Sequence, residues 1–286
     1  MAIVLDNITY TYGMGTPFEK TALRGVSLTI ENGEFLGVIG HTGSGKSTFV
    51  QHLNGLLHPT TGTVTVNGVD ISASTEEAKK MRHKVGMVFQ YPEHQLFEET
   101  IAQDIAFGPK NLGLSADDVD ERVRDAMKFV GLDYDTYAER SPFHLSGGQM
   151  RRVAIAGVVA MNPDFLVLDE PSAGLDPFGR EEIFEEIIRL HKEKGITVIL
   201  VSHNMEDISR MASRLVVLDK GRVVLDGEPM DIFNNHRDEL QAVGVDVPPV
   251  SVTMEYLREQ GLDVSNRVLS VDDAVQVILE GGSHVK

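Results

Sequence analysis

Residues 40–47 of the 286-residue chain read Gly40-His41-Thr42-Gly43-Ser44-Gly45-Lys46-Ser47, directly behind the apolar run of residues 35–39. No other string restricts the fold as strongly. Its three glycines let the backbone turn N–H groups inward, and a helix starting at Lys46 brings the positive end of its dipole to the same place. A strand before the loop and a helix after it are the setting in which such a sequence cradles phosphate, which separates it from an ordinary glycine-rich turn. Lys46 is expected to reach the β- and γ-phosphates of a nucleotide, with Thr48 closing the loop. The Ser47 hydroxyl is expected to ligate Mg²⁺, a hard cation that takes few protein oxygens and keeps its waters.

A phosphate-binding loop alone suits a GTPase, a small-molecule kinase or a helicase. A second element narrows the choice. Leu145-Ser146-Gly147-Gly148-Gln149 precedes a helical run, and Ser146 and Gln149 have the spacing of a capping box. The two adjacent glycines expose the first N–H groups of that helix, which makes a second anion site with no phosphate of its own. The phosphate must come from elsewhere.

Residues 165–168 are an unbroken aliphatic and aromatic run, as expected of a parallel strand buried on both faces, and the run ends in Asp169 and Glu170. Both carboxylates therefore sit at the carboxyl edge of a sheet, where ligands bind in open α/β folds. Asp169 is expected to hold Mg²⁺, and Glu170 to orient or deprotonate the water attacking the γ-phosphate. A solvated acidic pair is the plainer reading of any Asp-Glu dipeptide, but here Pro171 and residues 172–176 follow it. The run 198–201 ends the same way, with His203 one residue beyond Ser202. An imidazole at that edge can hydrogen-bond the γ-phosphate or the water held by Glu170.

With these elements in this order, the chain resembles the ATP-binding cassette family over residues 1–228. The resemblance implies an α/β fold: a P-loop NTPase with a RecA-like parallel sheet core, an amino-terminal antiparallel β subdomain and an inserted helical signature subdomain. It also implies that Leu145, Ser146, Gly147, Gly148, Gln149 and Asp176 act in trans, facing the ATP held by the opposite subunit of a dimer. By the same resemblance His203 is the switch histidine, and Gln90 is a loop glutamine that reaches Mg²⁺ and relays to a partner. Tyr12 is the aromatic that stacks on adenine. Because the tract 13–20 is long, Phe18 or Tyr10 remains an alternative for that role.

Residues 91–100, Tyr91-Pro-Glu-His-Gln-Leu-Phe-Glu-Glu-Thr100, are similar to the corresponding segment of energy-coupling factor transporter ATPases, in particular the second of their two paralogues. That resemblance implies an ATPase powering uptake of vitamins or transition-metal ions. Its partners are a paralogous ATPase, a transmembrane coupling protein and an interchangeable substrate-binding membrane protein. The chain would be peripheral at the cytoplasmic face of the cell membrane. A soluble cassette protein of DNA repair or translation is the competing class, and it lacks support from coiled coils, tandem cassettes or basic arms.

Composition agrees. With 26 Lys and Arg against 43 Asp and Glu, the net charge of -17 opposes nucleic acid and anionic lipid as direct partners. The absence of cysteine fits a reducing compartment. No apolar stretch approaches the ~18 residues of a membrane span.

The pattern places a helical subdomain at about 93–160, with residues 119, 123, 127 and 130 on one face. The β-rich runs 3–12, 26–30, 35–39 and 63–66 are expected to share one amino-terminal sheet, and residues 215–225 a hairpin turning at 219–221. Residues 229–286 form a small α-rich appendage and a possible dimerisation element. Its last helix is capped by Ser270, shows Val271, Ala274, Val275, Ile278 and Leu279 on one face, and stops at Gly281.

Overall fold

The computed structural model describes residues 1–265 and 267–282. Strands β1 (Ala2–Tyr12), β2 (Lys20–Glu31) and β3 (Phe35–Ile39) lead into helix α1 (Lys46–Leu53). Then come β4 (Thr61–Val66), β5 (Val69–Asp70), α2 (Glu76–Arg82) and β6 (Val85–Val88). The helices α3 (Ile101–Asn111), α4 (Ala116–Phe129), α5 (Tyr134–Tyr137) and α6 (Gly147–Val159) follow. The chain returns to strands with β7 (Phe165–Asp169), α7 (Pro177–Lys194), β8 (Thr197–Val201), α8 (Met205–Met211), β9 (Arg214–Asp219) and β10 (Arg222–Gly227). It ends in α9 (Pro229–Asn235), α10 (Arg237–Ala242), α11 (Pro249–Glu259) and α12 (Val271–Gly282).

Two sheets result. One is antiparallel in the order β2-β1-β4-β5, and the other runs β10-β9-β3-β8-β7-β6. In the second, β3 lies parallel to β8 and β9, and β7 parallel to β8 and β6, while β10 folds back antiparallel on β9. The expectation that residues 35–39 belong to the amino-terminal sheet is therefore corrected: β3 is a central strand of the larger one. The physical reason is visible in its composition. All five residues are buried, as a strand covered on both faces requires, whereas β1 and β2 carry exposed positions between their buried ones.

Side chains alternate across the larger sheet and divide the core in two. Phe165, Val167, Ile199, Val201, Leu36 and Val38 pack against the antiparallel sheet and Phe49, Val50 and Leu53 of α1. Leu166, Leu168, Val198, Leu200, Val217 and Ile39 pack against the helices on the other face. This parity assigns Asp169, two residues after Val167, to the face that carries α1 and the glycine loop.

On the helical side, Val119, Val123, Met127 and Val130 are buried as the periodicity predicts, and Thr100 and Ser115 cap α3 and α4 with their hydroxyls. The expected hairpin turns at Lys220 and Gly221, both at positive φ (47° and 77°), which suits a two-residue turn between twisted strands. Beyond it, Ile232, Phe233, Leu240 and Val245 join the helical-side core. Val250, Met254, Val264, Val268 and Ala274 make a separate small cluster. Ser270 caps α12 as expected, accepting from the Asp273 amide at 3.1 Å, and the helix runs to Gly282. Its apolar residues occupy two adjacent rows: Ala274 and Ile278 turn onto the small cluster, while Val271, Val275 and Leu279 are exposed. Among the described residues, no helix is long and apolar enough to cross a membrane.

Candidate functional site

The loop between β3 and α1 is shaped by glycines that no other residue can replace. Gly40 has φ 149°, and a Cβ there would lie 2.3 Å from the Leu218 carbonyl oxygen. Gly45 caps α1 at φ 110°, and a Cβ there would lie 2.9 Å from the Ala22 carbonyl oxygen. No side chain caps α1, so its first N–H groups face outward from the helix end. Lys46 is buried and donates to the carbonyls of Gly40 (2.6 Å) and His41 (3.1 Å). Burial lowers the Lys46 pKa, while Glu170 and Asp169 oppose that shift.

Gly45 and Lys46 line a cavity of about 620 Å³ together with Tyr12, Thr42, Gly43, Ser47, Thr48, Gln90, Asp169, Glu170 and His203, while Gly40 lies behind it against the Leu218 carbonyl. The volume lies within the range of small-molecule sites. Four cations, Lys20, Arg24, Lys46 and Lys220, also line it, so a strongly acidic chain keeps one locally basic concavity suited to a polyanion. Lys20, Arg24 and Lys220 were missed by sequence reasoning. The alternation of Lys20, Ala22 and Arg24 along β2 was the available signal, since residues two apart share a face.

The two carboxylates differ in setting. Burial raises the pKa of Asp169, and a hydrogen bond from the Ser47 hydroxyl and the charge of Lys46 pull it back. Glu170 is pushed up to about 7, first by burial and then by the neighbouring Asp169, against the pull of Lys46 and of the His203 backbone. A carboxyl titrating near neutrality is suited to exchanging a proton with water. Glu170 also leaves the strand at φ 52°, a costly conformation for a side-chain-bearing residue, pinned by its amide donating to the Val201 carbonyl at 3.0 Å. His203 has its pKa lowered, mainly by burial and then by Lys46, and its Nε2 stands 3.4 Å from Glu170 Oε1.

Ser146, Gly147, Gly148 and Asp176 line a second cavity of about 550 Å³, with Tyr91, Glu93, Arg151 and residues of the loop 173–179. Among the described residues, none lines both cavities. The capping box is formed in both directions: Ser146 Oγ accepts from the Gln149 amide (3.3 Å) and Gln149 Oε1 from the Ser146 amide (3.1 Å). Asp176 caps α7 by accepting from the Gly179 amide at 2.7 Å.

Several expected residues do not face a cavity. Leu145 packs against the helical core, and Gln149 spends its side chain on the cap and on the Tyr137 hydroxyl at 3.3 Å. His41 turns away toward Asp219, 3.0 Å distant, and Ser44 is fully buried under the loop. Tyr12 lies at the cavity with its hydroxyl 3.1 Å from Thr48 Oγ1 and its ring edge-on to Tyr10. Tyr10 and Phe18 do not line it.

Comparison with known proteins follows the same lines. Residues 23–173 match the family described as ABC transporter. The "Energy-coupling factor transporter ATP-binding protein EcfA2" of Clostridium tetani is 53% identical over 280 residues, covering 98% of this chain and 97% of the relative. The protein of the same name from Clostridium acetobutylicum is 54% identical over 279 residues, with 98% and 97% covered. Among solved structures, cbiO1 from Clostridium perfringens, described as part of the ABC transporter complex cbiONQ, superposes with a TM-score of 0.73. It is 36% identical, covering 84% of this chain and 94% of that one. The dimeric cassette MJ0796 in a post-hydrolysis state bound to ADP and Pi gives a TM-score of 0.69 at 32% identity, over 79% and 98% of the two chains.

Proposed function

Because the chain belongs to the ABC transporter family and, within it, to the ATP-binding subunits of energy-coupling factor transporters, we propose that it binds and hydrolyses ATP to power an importer of vitamins or transition-metal ions. One observation carries the reading. A phosphate cradle with its carboxylates and a second anion site at Ser146 open as separate cavities of the same chain, so a complete site needs two chains face to face. The relatives are transport subunits, and nothing favours the DNA-repair or translation alternative.

In this reading ATP lies along the first cavity, its adenine stacked on Tyr12 and its phosphates held by residues 40–48 with Lys46 at the β- and γ-groups. Ser146, Gly147, Gly148 and Asp176 of the facing chain close on the γ-phosphate, while Leu145 and Gln149 shape that loop. The Ser47 hydroxyl, the Gln90 amide and the Asp169 carboxylate are oxygen donors lining one cavity, a set that fits Mg²⁺. The ion would neutralise phosphate charge as it develops. Glu170 takes a proton from the attacking water or fixes its direction, and His203 donates toward the γ-phosphate and holds Glu170 in register.

The facing chain is proposed to be a related paralogue. The membrane partners are a coupling protein and an interchangeable substrate-binding protein, with this chain peripheral on the cytoplasmic face. Residues 229–286 are proposed as a carboxy-terminal appendage to the cassette of residues 1–228, with a part in pairing. The segment after Gln90 offers a docking surface for the coupling protein: Phe97 and Phe107 form an exposed edge-to-face pair with ring centres 4.9 Å apart, and Tyr91 is exposed nearby in the sequence. Affinity purification of the tagged chain from detergent-solubilised membranes tests the assignment. Recovery of a second cassette ATPase with membrane proteins is expected; recovery with ribosomes or DNA instead would sink it.

A further inference from the structure

Arg151 lies at the meeting point of three separate stretches of chain. It sits on α6, five residues beyond Ser146, and only 2% of it is exposed. Its Nε and Nη2 face the Glu93 carboxylate at 3.1 to 3.3 Å, on the short turn Pro92–Gln95 that follows Gln90. Its Nη1 donates to the carbonyls of Pro171 (2.9 Å) and Ala173 (2.8 Å), in the loop that follows Glu170. One planar cation thus holds the signature helix, the segment after Gln90 and the loop after Glu170.

We propose that Arg151 is a positioning residue through which movement of the segment after Gln90 reaches the loop that carries Glu170. A buried guanidinium cannot be left without its carboxylate or its carbonyls, since an unpaired buried charge or donor is strongly unfavourable. Displacement of Glu93 therefore draws Arg151 with it, and Arg151 draws the backbone at Pro171 and Ala173. Tyr91 gives the segment a bent start, held at φ 60° between Gln90 and Pro92. Two carbonyls and a carboxylate on opposite edges suit the fixed fork of arginine. A lysine is a point charge that serves one side at a time.

The inference rests on the ATPase reading, and its test separates the two. Arg151→Lys, Glu93→Gln and the double variant are prepared in the ATPase pair, and kcat, KM for ATP and bound nucleotide per chain are measured. Arg151→Lys is expected to bind a full complement of nucleotide with KM within about threefold of wild type, while kcat falls about tenfold. Glu93→Gln is expected to lower kcat about fivefold, and the double variant to be no more than about twofold slower than Arg151→Lys, because both changes cut one link. A residue that merely holds the fold together gives a different pattern: turnover recovers with the lysine, or kcat falls in proportion to nucleotide bound. Either result, or losses that multiply in the double variant, overturns the proposal. A wild-type preparation that fails to hydrolyse ATP contradicts the ATPase reading instead.

Discussion

His203 Nε2 stands 3.4 Å from Glu170 Oε1, the two side chains carried just beyond the ends of the adjacent parallel strands β8 and β7. That carboxylate oxygen is buried and, among the described residues, accepts no hydrogen bond, the condition under which it can accept one from a substrate water. The strand register sets the spacing, since Asp169 pairs with Val201 and the next residues on each strand turn out at the same edge.

Glu170 titrates at about 7 because burial and Asp169 outweigh Lys46. As a base it works only when ionised, so kcat/KM for ATP is expected to rise with pH through a midpoint near 7, and the rising limb to disappear in Glu170→Gln. A flat profile between pH 5.5 and 8.5, a range of about 1.5 units either side of that midpoint, contradicts the assignment.

Ser146→Arg fills the second cavity with a long charged side chain while leaving Lys46 and Ser47 untouched. In a pair with a wild-type partner, the variant's own phosphate loop is expected to bind nucleotide normally, and the site built on the partner's loop to lose turnover about 100-fold, the loss expected when a transition-state donor is removed. If both sites in that mixed pair hydrolyse ATP at the wild-type rate, the cross-subunit arrangement is wrong.

Tyr12, Tyr10 and Phe18 compete for the adenine. Stacking of a base on an aromatic side chain contributes ~1–3 kcal/mol, so Tyr12→Ala should raise KM for ATP about tenfold or more. Phe18→Ala should change it little, because Phe18 is 87% exposed and away from the cavity. Equal effects of the two substitutions would remove Tyr12 from the role.

Glu186 supplies a prediction about stability. Burial pushes its pKa up from its ordinary 4.5 to about 7, despite the Arg152 and Arg189 guanidinium groups that pull it down. The folded chain therefore holds a proton that the unfolded chain has lost, and this contribution to stability is full below 4.5 and fades as pH rises to about 7. Glu186→Gln removes the dependence. The melting temperature of the variant minus that of wild type should grow from pH 4.5 to 7 and then level off; a constant difference would contradict the burial argument.

Much of this site was legible in the sequence because its parts are local. The glycine loop, the Ser146–Gln149 cap and the strand-end Asp169, Glu170 and His203 each follow from a few consecutive residues, and the fold brings the cradle, the carboxylates and His203 to one edge. Less legible was whatever depends on residues far apart. Assigning β3 to the wrong sheet came from its neighbours in sequence, although its unbroken apolar run matched that of β7. The cavity cations come from two places far apart in the chain: Lys20 and Arg24 share one face of β2, and Lys220 sits in the turn between β9 and β10. The Glu93–Arg151 pair joins residues 58 apart, with no local pattern to announce it.

The most direct measurement of the central claim is nucleotide occupancy and turnover in the Glu170→Gln pair with Mg-ATP. Two ATP molecules per pair, held stably at the interface while hydrolysis falls by at least about 100-fold, are the predicted result. Hydrolysis near the wild-type rate, or ATP bound equally well by chains that never pair, would contradict it.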